Sequence, residues 1–212
     1  MTIPRFYPIV DTAVCPDPVK AAQSILEAGA EILQFRHKGV FSRDTFETAR
    51  AVAQLCHSAN AVFIVNDRAD IAILLQAGVH LGQEDLAPHD AHRLVGDKAI
   101  IGFSTHNEDQ LLAAADEPAD YVALGPIFGT TSKDRPDPTV GVEVLRRCRR
   151  LTPKPLVAIG GITRLNALKV LEAGADSVAV IGDLLAGCSS AADFRQRTEE
   201  WLQLTSKPAP AS

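Results

Sequence analysis

Four times in the first half of the chain, a short apolar run rich in β-branched residues breaks off abruptly into polar side chains. Ile32-Leu33 gives way to Gln34-Phe35-Arg36-His37-Lys38, and Val62-Phe63-Ile64-Val65 to Asn66-Asp67-Arg68. Val79-His80-Leu81-Gly82-Gln83-Glu84-Asp85 and Ile100-Ile101-Gly102-Phe103-Ser104 repeat the pattern. Continuous apolar runs of this length are strands buried on both faces, as in a parallel sheet flanked by helices. Several strands that end in chemistry at the same end describe a barrel with its active site at the carboxyl edge.

Strand-like segments recur near 5–10, 31–35, 62–65, 78–81, 99–103, 120–124, 155–159 and 177–180. Helix-like segments separate them near 17–28, 42–58, 69–76, 88–95, 107–115, 139–151, 163–173 and 183–203. Eight βα units in 212 residues predict an α/β fold, a (β/α)8 TIM barrel, in preference to an open doubly wound sheet. With 46% hydrophobic residues the chain can build one large core, so a single domain is expected over 1–204, with residues 205–212 as a disordered tail. Ser42 is the expected N-cap of the 42–58 helix. Gly29 and Gly174, each in a Glu-Ala-Gly-Ala setting, are expected to close helices. The polar, proline-bearing segment 129–139 reads as a mobile loop over the site.

The charge and cysteine patterns narrow the function. The net charge is −5 and no basic block stands out, which argues against nucleic-acid binding. No apolar stretch approaches the ~20 residues of a membrane span, and the N-terminus lacks a signal-peptide pattern. Cys15, Cys56, Cys148 and Cys188 are scattered without metal-ligand spacing, as core thiols of a cytoplasmic protein would be. Self-association is left open by the sequence.

Three constellations carry candidate chemistry. Asp67 and Asp85 follow apolar strands, and oxygen ligands of this kind suit Mg²⁺, which takes one or two carboxylates and fills its shell with water and phosphate. Glu84 competes with Asp85 for that role, and both aspartates could instead be helix N-caps or structural ion pairs. Gln34, Arg36 and Lys38 share one parity along their strand, so a guanidinium fork and an ammonium would meet an anion together. Lys133 on the polar loop could close on the same anion, and solvated surface charge is the alternative. Gly160-Gly161 before a helix start at 163, and Ile181-Gly182 after the eighth strand, fall where barrels bind phosphate on backbone N–H groups.

The histidines give less. His89 and His92 flank Asp90 without a third metal ligand. His80 reads as a core histidine, and His106 stands near enough to the fifth strand's rim to line a pocket. His37 is expected to be solvated and turned from Arg36 and Lys38. Ser104 lacks the partners of a nucleophile and suits a ligand hydrogen bond better.

Taken in order, seven segments resemble the thiamine-phosphate synthase (thiamine-phosphate pyrophosphorylase) family. They are Gln34-Phe35-Arg36-His37-Lys38, Val65-Asn66-Asp67-Arg68, Gly78 to Asp85, Gly102 to His106, Leu124-Gly125-Pro126-Ile127-Phe128, Thr130-Thr131-Ser132-Lys133 and Ala158-Ile159-Gly160-Gly161-Ile162. The resemblance implies a transferase that joins 4-amino-2-methyl-5-pyrimidinylmethyl diphosphate to a thiazole phosphate, carboxylated or plain, as small-molecule substrates. It implies that Gln34, Arg36, Lys38, Asn66, Ser104 and Lys133 hold the pyrimidine diphosphate, with Arg36, Lys38 and Lys133 acting in catalysis. Asp67 and Asp85 would bind Mg²⁺. Thr130, Thr131 and Ser132, with the backbone of Gly161, Ile181 and Gly182, would hold the thiazole phosphate.

Two departures stand out: Ile181-Gly182 replaces the family's Val-Ser, and Ser132 replaces a threonine. A thiazole tautomerase of the same fold, or a non-catalytic precursor-binding protein, is the rival reading. Asp85 and Pro126 favour the synthase over the tautomerase.

Overall fold

The computed structural model describes residues 2–130 and 138–206. Thr131, Ser132 and Lys133, most of the 129–139 loop and the last six residues of the expected tail lie outside the described residues.

Eight parallel strands close into a barrel in sequence order. They are β1 (Phe6–Asp11), β2 (Ile32–Arg36), β3 (Val62–Asn66), β4 (Gly78–Leu81), β5 (Ile101–Thr105), β6 (Tyr121–Leu124), β7 (Leu156–Ile159) and β8 (Ser177–Val180). The intervening helices are α1 (Pro18–Glu27), α2 (Arg43–Ser58), α3 (Ala69–Leu75), α4 (Pro88–Val95), α5 (Glu108–Ala113), α6 (Val142–Arg149) and α7 (Ala167–Glu172). After β8 come α8 (Gly182–Leu185) and α9 (Ala191–Ser206).

Local chemistry explains the punctuation. The Ser42 hydroxyl accepts from the Thr45 N–H at 3.2 Å and caps α2. Gly29 and Gly174 sit at φ of +104° and +105° and end α1 and α7 in the same way. Gly29 N–H reaches Leu26 O and Ala30 N–H reaches Ile25 O, and Gly174 and Ala175 repeat both bonds on Leu171 and Val170.

The two faces of each strand build two cores. Phe6, Val10, Leu33, Phe35, Phe63, Val65, Val79 and Leu81 face the helices in one large apolar cluster. Tyr7, Ile9, Ile32, Ile64, Tyr121, Ala123, Val157 and Ala179 fill the barrel in a second. Trp201 of α9 is fully buried and stacks on Phe6 at 5.4 Å, which seals the β1 side. Cys15, Cys56 and Cys148 are buried, Cys188 is partly so, and all are free thiols, as expected. Burial pushes the Cys56 thiol up to about 12.

Three boundaries differ from the sequence expectation. The 183–203 helix is two helices, because Ala186 turns extended, Gly187 takes φ +75°, and Ser190 and Asp193 cap a new start. That second helix runs through Thr205 and Ser206, and Thr205 is buried with its hydroxyl on Trp201 O, so these two residues belong to the helix and not to the expected tail. α7 begins at Ala167, not near 163, because residues 163–166 form a turn in which Asn166 Oδ1 accepts from Thr163 N–H.

Candidate active site

The carboxyl ends of β1 to β5 gather the polar residues. Gln34 and Arg36 lie on the inward parity of β2, with Ile32. Gln34 is almost fully buried, and its Nε2 donates to Tyr7 Oη at 3.0 Å. Arg36 donates through Nη1 to Asp11 Oδ2 in a short ion pair, and Asp11, at 2% exposure, also accepts from Ala13 N–H. The register pairs these two residues directly across β1 and β2. Asp11 was missed by sequence reasoning, although it ends an apolar strand just as Asn66 does.

Lys38 lies just past β2, half exposed, with its Nζ 2.6 Å from Asp67 Oδ2. Asp67 takes φ +65°, a left-handed conformation that an aspartate tolerates better than most residues, and donates its N–H to His80 O at 2.7 Å. Burial pushes the Asp67 carboxyl up to about 6. Lys38 pulls it down and the Asp85 carboxylate beside it pushes it up. Asp85 is fixed from the other side, its Oδ2 accepting from Gly82 N–H at 2.7 Å. Neither aspartate is an N-cap: Arg68 and Ala87 occupy the cap positions of α3 and α4. Glu84 is exposed.

Two carboxyl groups side by side, one of them desolvated by burial, form an oxygen-only pair of the kind that a divalent cation takes. Among the described residues, no group of three or more His, Cys, Asp or Glu side chains converges. A hard ion that completes its shell with water and phosphate oxygens matches that count better than one caged wholly by protein.

Asn66 is 6% exposed, and its Nδ2 has no hydrogen-bond partner among the described residues. A buried amide without an acceptor is costly, and a ligand oxygen would satisfy it. Ser104 Oγ lies 2.8 Å from His80 Nε2, and Gln83 Nε2 donates to Ser104 O at 2.6 Å. His80 therefore faces the site instead of serving the core alone. His37 is not simply solvated: Thr12 Oγ1 lies 2.7 Å from its Nδ1 and its ring meets Phe41 edge-on. His106 Nδ1 lies 2.6 Å from Gly125 O at the rim of β5 and β6. His92 Nε2 lies 3.4 Å from Asp97 Oδ1.

The loops after β6, β7 and β8 form the other side. Gly125-Pro126 is cis, and Ile127 and Phe128 donate their N–H groups to Ile159 O and Gly160 O. Gly161 sits at φ +62°, and a Cβ there would fall 2.4 Å from Gly129 O. A Cβ on Gly160 would fall 2.5 Å from Pro126 Cα. The glycine pair is thus demanded by the neighbouring loop, a stricter reason than ligand approach. Ile181 and Gly182 open α8, and a Cβ on Gly182 would meet nothing within 4 Å. Arg164 Nε donates to Asp183 Oδ2 at 2.9 Å, and its Nη1 pairs with Glu200, so this cation ties the β7 loop to α8 and α9. Thr130 is half-buried beyond β6.

Residues 6–184 match the family described as thiamine monophosphate synthase. The chain belongs to that family. A thiamine-phosphate synthase of Koribacter versatilis is 46% identical over 212 residues, covering 96% of this chain and 97% of the relative. One from Caldicellulosiruptor bescii is 36% identical over 187 residues, covering 88% and 84%. A solved structure, thiamine phosphate pyrophosphorylase from Pyrococcus furiosus, superposes with a TM-score of 0.84 at 34% identity, covering 95% of each chain. A KDPGal structure, at 14% identity and a TM-score of 0.74, shares the barrel alone. The thiamine monophosphate synthase family is one of transferases, and the chain is an enzyme of that kind. No helix among the described residues is long and apolar enough to cross a membrane.

Proposed function

We propose that the chain couples 4-amino-2-methyl-5-pyrimidinylmethyl diphosphate with a thiazole phosphate, carboxylated or plain, in the presence of Mg²⁺. The products are thiamine phosphate and pyrophosphate. The observation that carries this reading is Lys38 paired with Asp67, beside Asp85, just past the strand end where Arg36 is held by Asp11. Cations and carboxylates in one place suit a diphosphate that arrives with its metal, and neither set alone would.

Asp67 and Asp85 would hold the Mg²⁺. The ion would neutralise diphosphate charge and so improve the leaving group. Arg36, fixed by Asp11, offers a planar fork to phosphate oxygens, and Lys38 is a mobile point charge that can move from Asp67 to the substrate. Lys133 is proposed to add a third cation. As the carbon–oxygen bond to diphosphate breaks, its electron pair leaves with pyrophosphate, and the aminopyrimidine spreads the positive charge left on the methylene. The thiazole nitrogen then supplies the pair for the new carbon–nitrogen bond. Gln34, Asn66 and Ser104 are proposed to hold the pyrimidine diphosphate. Thr130, Thr131 and Ser132, with the backbone at Gly161, Ile181 and Gly182, are proposed to hold the thiazole phosphate.

Orientation of two partners can supply roughly 7–11 kcal/mol in favourable cases. No protein nucleophile or general base is required. Free, scattered thiols support placing the reaction in the cytoplasm. The test is a coupling assay with both substrates and Mg²⁺, with and without chelator. Chelator-sensitive thiamine phosphate supports the reading, and a folded protein that makes none refutes it.

A further inference from the structure

The segment between β2 and α2 carries Lys38, and its backbone is weakly tethered. Thr12 N–H donates to Arg36 O at 3.0 Å, and Ser42 N–H donates to Val40 O at 2.9 Å. Between those two attachments, no main-chain hydrogen bond reaches residues 37–39 among the described residues. Fixing each residue of such a segment costs conformational entropy, which side-chain contacts have to offset.

His37 supplies those contacts. Thr12 Oγ1 lies 2.7 Å from its Nδ1, and its Nε2 donates to Val40 O at 3.2 Å. A carbonyl only accepts, so Nε2 bears a hydrogen in this bond. The Thr12 hydroxyl suits Nδ1 in either charge state of the ring, because it can donate or accept. A Cβ on Gly39 would fall 2.8 Å from His37 Nε2, so the chain turns tightly around the imidazole. Phe41 meets the ring edge-on at 5.7 Å. Phe41 is held in turn by Phe35 at 6.5 Å and lies under the Arg68 guanidinium at 5.3 Å. One imidazole thus joins the loops after β1 and β2. Phe41 carries the connection to the loop after β3, where Asp67 precedes Arg68.

Consecutive residues of the basic motif are therefore anchored to consecutive residues at the end of β1. Asp11 holds the Arg36 guanidinium, and Thr12 holds the His37 imidazole. Lys38 comes next, inside the turn that closes on His37, and its half-exposed side chain reaches Asp67. The stem of a lysine is long and flexible, so the place of its backbone decides where the ammonium can reach.

We propose that His37 is a positioning residue: by tying Thr12 to Val40 it holds the backbone of Lys38 where the ammonium meets Asp67 and a diphosphate bound beside it. Arg36 keeps its own anchor, Asp11, so the effect of His37 passes through Lys38. The identity of the diphosphate rests on the coupling reaction proposed above.

Calorimetry with inorganic pyrophosphate and Mg²⁺ tests this on the whole chain without requiring turnover. His37→Ala should weaken pyrophosphate binding about tenfold, the scale of one or two lost hydrogen bonds. In a Lys38→Met background, adding His37→Ala should change the affinity by less than about twofold, because the residue through which it acts is gone. An equal loss in both backgrounds would make the ring structural only and overturn the proposal. No loss in either background would overturn it too, as would a failure of the unsubstituted protein to bind pyrophosphate. Should His37→Ala fail to fold, Thr12→Val removes only the hydroxyl partner, and a loss of about threefold that vanishes without Lys38 is expected. In the coupling assay, His37→Ala should raise the KM for the pyrimidine diphosphate and leave that for the thiazole phosphate. A protein that makes no thiamine phosphate and still shows this pyrophosphate pattern would refute the reaction and keep the role of His37.

Discussion

Asp11 and Arg36 stand directly opposite each other at the ends of β1 and β2, and the Asp11 carboxylate accepts from the guanidinium while almost fully buried. The pair aims a cation at the barrel mouth and limits its freedom. Asp11→Asn keeps the shape and removes the charge. A buried arginine left without its partner is expected to cost about 3 kcal/mol of stability. The KM for the pyrimidine diphosphate should rise at least about tenfold, with less change for the thiazole phosphate. Urea unfolding and steady-state kinetics check both. An unchanged KM would mean that Arg36 is structural only.

Asp67→Ala removes one of the two adjoining carboxylates and frees Lys38. Turnover should fall roughly 100-fold or more, the scale seen when one group that stabilises developing charge is lost. Circular dichroism should be unaltered. Near-normal turnover at saturating Mg²⁺ would take Asp67 out of the metal site.

Gly161 and Gly182 should behave oppositely. Gly182→Ser has open space around its Cβ and restores a hydroxyl at the start of α8, so the melting temperature should hold and thiazole phosphate binding should be equal or tighter. Gly161→Ala meets both a left-handed backbone and the Gly129 carbonyl, and a loss of about 1–3 kcal/mol is expected. Thermal melts of the two variants decide this, and a collapse of Gly182→Ser would show crowding at α8 that the backbone does not reveal.

Lys133→Ala should lower turnover more than it weakens thiazole phosphate binding. A change in thiazole phosphate affinity alone would move Lys133 away from the diphosphate.

Much of the barrel was legible because both of its periodicities are strong. Val62 to Val65 could only be a strand buried on two faces, and its switch to Asn66-Asp67 marked the rim. The family segments then pointed to Gln34, Arg36, Asn66 and Ser104, which the strands do bring to one interior. What escaped were relationships between distant strands. Asp11 and Arg36 are 25 residues apart, and Tyr7 and Tyr121 are 114 apart, so their pairing depends on register that one-dimensional patterns do not give. The break between α8 and α9 had a signal in Gly187 and in Ser190 three residues before Asp193, but the helical pattern on either side masked it.

The tripeptide Pro126-Ile127-Phe128 holds the chain where it enters and where it returns from residues 131–137. Phe128 is bonded to Gly160, and Val140 and Gly141 return their N–H groups to Pro126 O and Ile127 O. Such a clasp fixes both ends of that stretch on the barrel. With both ends held, each doubling of the length between them by a flexible insert should cost only about 0.6 kcal/mol of closure entropy. Variation there is thermodynamically cheap, so lineages, or an engineer grafting a longer segment to admit a bulkier azole, can rewrite this stretch without refolding the scaffold beneath it.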